Sequence, residues 1–108
     1  MIVCDAYFIF TLDSANKEIL THSRMFAPAI GVNEDPVTGM ANGPLGAYLI
    51  YYNIVNHDGK AFNFKSQQGE ALGRTGIIEV YVKIKNNKPE EIKIAGNAII
   101  VFKTELEI

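Results

Sequence analysis

The chain has 108 residues, of which 48% are hydrophobic and 20% charged, and its formal net charge is −2. This length fits one domain, residues 1–108, and this composition is typical of folded globular proteins rather than disordered ones. No basic run or arginine cluster favours nucleic-acid binding. Cys4 is the only cysteine, which excludes an internal disulfide framework and a multi-cysteine zinc site. We interpret it as a reduced thiol buried in a strand.

Two strands are predicted at the start of the chain. Residues 3–11 are rich in β-branched and aromatic side chains, which favours a strand. Residues 12–16 are interpreted as a turn, and residues 18–26 as the second strand. Residues 27–36 contain two prolines and one glycine, so we interpret them as a loop.

A helix without a polar face follows this loop. Apolar residues recur at helical spacing on one face, and the opposite face is also apolar. The two sets are Leu45, Tyr48, Leu49 and Tyr52, and Gly46, Ala47, Ile50 and Tyr51. We expect protein to surround such a helix and all three tyrosines to lie in the core. The apolar stretch 43–52 is about half of the ~20 residues that a membrane span requires, so no membrane partner is predicted.

The helix can begin at either of two positions. With Asn42 as N-cap, Pro44 lies at the second helical position, where a missing N–H group costs little. With Thr38 as N-cap, Pro44 lies one turn further in and introduces some distortion.

Four more strands are predicted after the helix. A connection punctuated by glycines precedes the second of them, and a hairpin loop precedes the third. The strands are residues 61–66, 77–85, 91–95 and 97–103, the connection is residues 68–75, and the hairpin loop is residues 86–90. The predicted fold class is therefore α+β, with a mostly antiparallel, barrel-like sheet wrapped around one central apolar helix.

The segment 34–41 is the one best suited to chemistry. If Thr38 is the N-cap, the N–H groups of Gly39, Met40 and Ala41 lack partners within the helix. They also carry a partial positive charge from the helix dipole. The helix start is therefore a candidate binding site for a carboxylate or phosphate.

Asp35 precedes this helix start and is held by the stiff Pro36. A carboxylate beside a bound anion is a candidate general acid or base. The structural alternative is that Asp35 or Thr38 only caps the helix, because Asp-Pro before Thr-Gly is common in turns. Glu34 is equally explained as a solvated loop charge or as a partner of Arg24.

Three other features are not interpreted as sites. His22 lies in a strand pattern and His57 in a turn, and no carboxylates cluster with them, so no metal site is predicted. The glycine-rich segment 68–76 lacks the Gly-Lys-Ser/Thr ending of a phosphate loop and precedes a strand instead of a helix.

Five segments occur in the order found in one known family. They are RMFAPAIG at 24–31, EDPVTG at 34–39, GPLGAYL at 43–49, QG with GR at 68–74, and IAGNAIIVF at 94–102. The chain resembles the phenazine-biosynthesis isomerase-like (PhzF-like) family. The resemblance implies the diaminopimelate-epimerase-like fold, in which two similar halves, each a barrel around a helix, enclose the active site. The chain resembles the C-terminal half only.

The resemblance also implies isomerase chemistry without a metal or another cofactor. Asp35 matches the family aspartate that faces an acid/base carboxylate of the N-terminal half, which no residue of this chain matches. Gly39, Met40 and Ala41 match the helix start that binds substrate, and this match favours Thr38 as N-cap. The predicted substrate-binding residues are therefore Thr38, Gly39, Met40 and Ala41. Many members have Ser or another small polar residue where this chain has Met40, so a side-chain hydrogen bond is lost there while the backbone N–H remains.

The predicted function is acid–base proton transfer on a small anionic, carboxylate-bearing metabolite in a biosynthetic process. Because the chain looks about half as long as the family, we expect a homodimer or a separately encoded N-terminal half to complete the cleft. With one cysteine and no secretory signal, the expected compartment is the cytoplasm. The alternative is a non-catalytic domain, from a split or truncated gene, that binds a small anion or is vestigial.

Overall fold

The computed structural model describes residues 6–97 and residue 105. Within them, one α-helix packs on a mixed sheet of six strands. The strands are β1 (Tyr7–Thr11), β2 (Thr21–Ala27), β3 (Val32–Asp35), β4 (Ala61–Gln68), β5 (Gly76–Lys85) and β6 (Lys88–Gly96), and the helix is α1 (Gly39–Tyr51). The α+β class is confirmed. The sheet is not closed into a barrel over these residues, because its strands form an open series from β1 to β6.

The sheet combines antiparallel pairings with one parallel pairing. The strands follow one another as β1-β2-β4-β5-β6, and β3 pairs with β2 beside this series. Four pairings are antiparallel, which agrees with the prediction of a mostly antiparallel sheet, although the β2–β3 pairing was not itself predicted. The β2–β4 pairing is parallel, because the chain returns from β2 to β4 through α1, and parallel neighbours require such a crossover.

Strand β3 lies where the sequence predicts a loop. A 3-10 turn at Pro28–Ile30 ends at Gly31, whose φ of 86° reverses the chain. Val32–Asp35 then pairs with β2, so that Asp35 is opposite Met25. The sequence does not reveal β3 because three of its four residues are Asn, Glu and Asp, which strands disfavour, and because pairing with β2 is a tertiary interaction.

The hairpin between β5 and β6 is tighter than predicted. Asn86 and Asn87 have φ values of 54° and 60°, as a two-residue type I′ turn requires, so β6 begins at Lys88 and not at residue 91. Asn97 lies outside β6. The rest of the last predicted strand, residues 98–103, and the start of the first, which includes Cys4, lie outside the described residues.

The core forms between α1 and one face of β4 and β5. It consists of Leu45, Leu49 and Ile50 of the helix and Phe64, Ile78, Val80, Val82 and Ile84 of the strands. The strict alternation of buried residues along β5 matches the pattern predicted from the sequence. Gly46 allows the helix to lie close to the sheet, because a Cβ atom there would be 2.8 Å from Val80 and 2.9 Å from Val82.

The other side of α1 is exposed, which corrects the expectation that protein surrounds this helix. Met40, Tyr48 and Tyr51 are 90%, 45% and 56% exposed, and Tyr52 also faces solvent, so none of the three tyrosines belongs to the core. The reason is that an open sheet covers only one side of the helix. We call Met40, Tyr48 and Tyr51 the exposed face of α1. Among the described residues, no helix has the length and apolarity needed to cross a membrane.

The fit of α1 on β5 predicts that substitution by alanine changes the free energy of unfolding differently at two neighbouring glycines. Gly46→Ala places a methyl group against Val80 and Val82, and overpacking of this kind costs about 1–3 kcal/mol. Gly43→Ala is the matched control, because its Cβ would lie 3.7 Å from Ile92, an ordinary contact. The gain in helix propensity of that variant, up to ~1 kcal/mol, is offset by the clash of its Cβ with the ring of Pro44, which follows it in the helix. Urea unfolding should show the first variant destabilised and the second not; equal midpoints would contradict the packing described here.

Candidate functional site

Asp35 and Thr38 are brought together at the junction between β3 and α1. Asp35 is the last residue of β3 and is half-buried. Pro36 follows it, and the chain then enters the helix. The hydroxyl of Thr38 donates a hydrogen bond of 2.6 Å to Oδ2 of Asp35. One carboxylate oxygen of the predicted acid/base residue is therefore held by a neighbouring side chain.

The helix begins at Gly39 with Thr38 as its N-cap residue, the start that the family resemblance favours. The Thr38 hydroxyl is directed to Asp35 and makes no side-chain cap bond to the helix. The first backbone bond of the helix runs from the Asn42 N–H to the Thr38 carbonyl, at 3.3 Å. Within residues 6–97, the N–H groups of Gly39, Met40 and Ala41 thus have no backbone acceptor, and they carry the positive end of the helix dipole.

The three residues of this first turn differ in what their side chains do. Gly39 packs against β6, since a Cβ atom there would lie 2.9 Å from the end of the flexible Ile94 side chain, which would have to shift. Ala41 is half-buried. Met40 extends into solvent and offers no polar group, so any anion bound at this turn is held by backbone N–H groups.

Gln68 contacts both Asp35 and Thr38, and the sequence analysis did not identify it as part of the site. It ends β4 and is 1% exposed. Its Nε2 donates to the Asp35 carbonyl at 2.8 Å and to the Thr38 hydroxyl at 2.9 Å, and its Oε1 accepts the Thr38 N–H at 3.2 Å. The only signal in the sequence is the Gln68-Gly69 pair within a family segment, which gives no indication of this role.

Asn42 extends the same network from within the helix. It is fully buried, and its Nδ2 donates to the Thr38 carbonyl at 2.6 Å and to Gln68 Oε1 at 3.2 Å. Its Oδ1 has no partner among the described residues. The sequence offers Asn42 as an alternative N-cap, but the structure places it in the first turn, where it binds the true N-cap residue.

Glu34, the other acid of this segment, has a structural role. Its carboxylate is 6% exposed and accepts two hydrogen bonds from Arg24, the shorter of 2.7 Å. The Arg24 guanidinium also lies 4.8 Å from the centre of the Phe26 ring. The hydrogen bond to Glu34 raises the pKa of Arg24 above its usual value, so the guanidinium remains charged. Of the two adjacent carboxylates, only that of Glu34 is engaged by an arginine among the described residues.

The two histidines lie outside this site. His22 bonds to Glu70 at 2.5 Å and to Ser14 at 2.8 Å, which links three separate segments of the chain. His57 accepts the N–H of Gly59 in a turn. In the described part of the chain, no three His, Cys, Asp or Glu residues lie close enough together to hold a metal ion.

Gly69 allows the connection after β4 to approach the site. Its φ is 84°, and a Cβ atom would lie 2.4 Å from the Arg74 carbonyl oxygen and 2.7 Å from that of Pro36. These contacts are with backbone atoms, which cannot move aside as a flexible side chain does. The glycine therefore keeps the Asp35–Thr38 segment in contact with the end of β4.

We predict that Gly69→Ala displaces this segment and lowers the free energy of unfolding by about 2–4 kcal/mol, from backbone strain together with the two clashes. Gly73→Ala is the control, because Gly73 also has a positive φ but no atom within 4 Å of the added methyl group. It should cost only about 1–2 kcal/mol. Amide chemical shifts of Asp35 and Thr38 should change in the first variant alone; unchanged shifts would contradict the role given to Gly69.

The chain matches the family model of phenazine biosynthesis-like proteins (PhzC-PhzF) over residues 1–104. It is 57% identical to an uncharacterised isomerase of Clostridium acetobutylicum over 98% of this chain and 35% of the relative. It is 50% identical to the uncharacterised isomerase YddE of Escherichia coli K12 over 97% of this chain and 35% of the relative. The chain thus spans about a third of the length of these relatives.

A solved structure agrees with these matches. The crystal structure of a PhzF-family phenazine biosynthesis protein from Bacillus anthracis is 31% identical and aligns with a TM-score of 0.77. The alignment covers 95% of this chain and 35% of that chain. Sequence and fold therefore lead to the same conclusion: the chain belongs to the phenazine biosynthesis-like, or PhzF-like, family.

Proposed function

We propose that this chain carries one side of an isomerase active site, which moves a proton on a small carboxylate-bearing metabolite by acid–base catalysis without a metal or other cofactor. The observation that carries the proposal is the position of Asp35. Its half-buried carboxylate lies directly before a helix start whose first N–H groups lack backbone acceptors in the described chain. An acid/base group and an anion-binding group thus occur side by side.

In the proposed reaction, the substrate carboxylate binds to the N–H groups of Gly39, Met40 and Ala41. Removal of a proton from a neighbouring carbon leaves an electron pair that delocalises toward the carboxylate, where the positive end of the helix dipole stabilises the added negative charge. Asp35 accepts or returns the proton. The substrate gains and loses one proton, so its atoms and electrons balance and no oxidant is needed.

The proposal includes a second acid/base group on the opposite side of the substrate. The family resemblance assigns that role to a carboxylate of the N-terminal half, which no residue here matches. We propose that a second copy of the chain, or a separately encoded N-terminal half, completes the cleft. The exposed face of α1 supports this, because it is apolar and includes Met40 of the first helical turn.

Asp35→Asn tests the chemistry. The amide cannot take up a proton as the carboxylate does, so deuterium incorporation from D2O into a panel of small carboxylic acids should fall by about 10²–10⁴-fold. Incorporation is measured by NMR or mass spectrometry on the assembled protein. Asp13→Asn, at an exposed position in the loop after β1, is the matched control and should retain full exchange. Retained exchange in Asp35→Asn would contradict the role of Asp35.

A small-anion-binding domain without catalysis is the alternative function. It is favoured by the same helix start, because free N–H groups need only an anion to bind. Titration with acetate or phosphate would shift the amide signals of Gly39, Met40 and Ala41 under either function. Binding without any deuterium exchange in the wild-type protein, alone or with an N-terminal half, would favour the alternative.

Assembly through the exposed face of α1 can be tested with one substitution. We expect the chain to sediment as a dimer at micromolar concentration, and Tyr51→Glu to shift it to the monomer, because a charge then replaces an apolar ring in the interface. Tyr51→Phe keeps the ring and is the control. Sedimentation of the wild-type chain as a strict monomer would contradict completion of the cleft by a second copy.

A further inference from the structure

The backbone of Thr38 fixes the orientation of two buried amide side chains. Its N–H can only donate, so the Gln68 atom that it meets at 3.2 Å must be Oε1. Its carbonyl can only accept, so the Asn42 atom at 2.6 Å must be Nδ2. Neither amide can be turned over without placing two donors or two acceptors against each other. The bond from Asn42 Nδ2 to Gln68 Oε1 agrees with both assignments.

The orientation of Gln68 then determines the direction of the next two hydrogen bonds. Its Nε2 faces the Thr38 hydroxyl at 2.9 Å and can only donate to it. The hydroxyl is therefore an acceptor toward Gln68, and its single proton is left for Asp35 Oδ2, at 2.6 Å. The donor direction runs one way along the chain of groups, from Asn42 through Gln68 and Thr38 to the carboxylate.

Burial favours this one direction of the hydrogen bonds. Gln68 and Asn42 are 1% and 0% exposed, so water does not compete for their hydrogen-bonding groups. If the Thr38 hydroxyl turned round, its proton would point at the N–H group of Gln68 Nε2. That N–H group would then be a buried donor without an acceptor, which is energetically unfavourable. The network is therefore more rigid than an exposed set of the same bonds.

We infer that Gln68 is a positioning residue that keeps Asp35 Oδ2 as a hydrogen-bond acceptor and thereby assigns proton exchange with the substrate to Oδ1. Among the described residues, Oδ1 has no hydrogen-bond partner, so it is the oxygen free to carry the proton. The inference rests on the proposed role of Asp35 in catalysis. It specifies, in addition, which oxygen of Asp35 exchanges the proton and which distant residue selects that oxygen.

The decisive variant is Gln68→Glu, which has the same shape. The ionised carboxylate still accepts from Thr38 N–H and Asn42, but it has no N–H to offer the Thr38 hydroxyl. The hydroxyl then donates to the introduced carboxylate and leaves Asp35. The substitution also removes the hydrogen bond that Nε2 donates to the Asp35 carbonyl, so amide spectra must show that the backbone around the site is retained.

Carbon-13 NMR of the Asp35 carboxyl in an equal mixture of H2O and D2O reports this bond directly. In the wild-type chain, we expect the Thr38 hydroxyl to exchange slowly because both of its neighbours hold it, so that it carries either H or D and the carboxyl signal splits into two lines. Gln68→Glu should give one line, as should Thr38→Val, which lacks the hydroxyl. Gln67→Glu, on the opposite face of the same strand, is the matched control and should keep both lines.

Gln68→Met covers the case in which Gln68→Glu fails to fold. It is uncharged and similar in length, and it leaves the Thr38 hydroxyl free to rotate and exchange with water, so the two lines should merge. Amide spectra establish that each variant is folded. A single line in the wild-type chain, or two lines in both Gln68 variants, would overturn the inference. This readout needs no substrate, so its failure is distinguishable from failure of the deuterium-exchange test of the proposed function.

Discussion

The site depends on which strands pair with each of the two edges of β2. Strand β1 occupies one edge, so β3 and β4 must share the other. Gln68, at the end of β4, is opposite Ser23, and Asp35, at the end of β3, is opposite Met25. The two strand ends therefore meet within two residues of each other along β2. The buried amide of Gln68 joins them there, and α1 starts from that junction.

Much of the fold could be predicted from the sequence, because it is encoded in local patterns. The alternation of β5 and the apolar helix residues Leu45, Leu49 and Ile50 identify the core elements before any contact is known. Strand β3 could not be predicted in this way. Its residues have no strand pattern of their own, and it exists because an edge of β2 is free beside it.

The same distinction between local patterns and tertiary contacts applies to the candidate site. Asp35, Thr38 and the first helical turn are adjacent in sequence, so motif and helix physics were enough to propose them. Gln68 and Asn42 act through hydrogen bonds that span 30 and 26 residues, and nothing in their local sequence indicates that they are buried. For the apolar helix α1, the local sequence led to a wrong prediction. Its composition does not show which side an open sheet will cover, so the tyrosines were wrongly assigned to the core.

The parallel pairing of β2 with β4 has a consequence for folding. This pairing closes a loop of more than 40 residues, because Ser23 and Gln68 are partners. Contacts so distant in sequence form late, after the loop-closure entropy has been overcome. The hairpins β1–β2 and β5–β6 join strands that are adjacent in sequence, whereas the carboxylate and the glutamine meet only through this non-local pairing. A short peptide containing the Asp-Pro-Val-Thr-Gly segment would therefore reproduce its sequence but not its geometry.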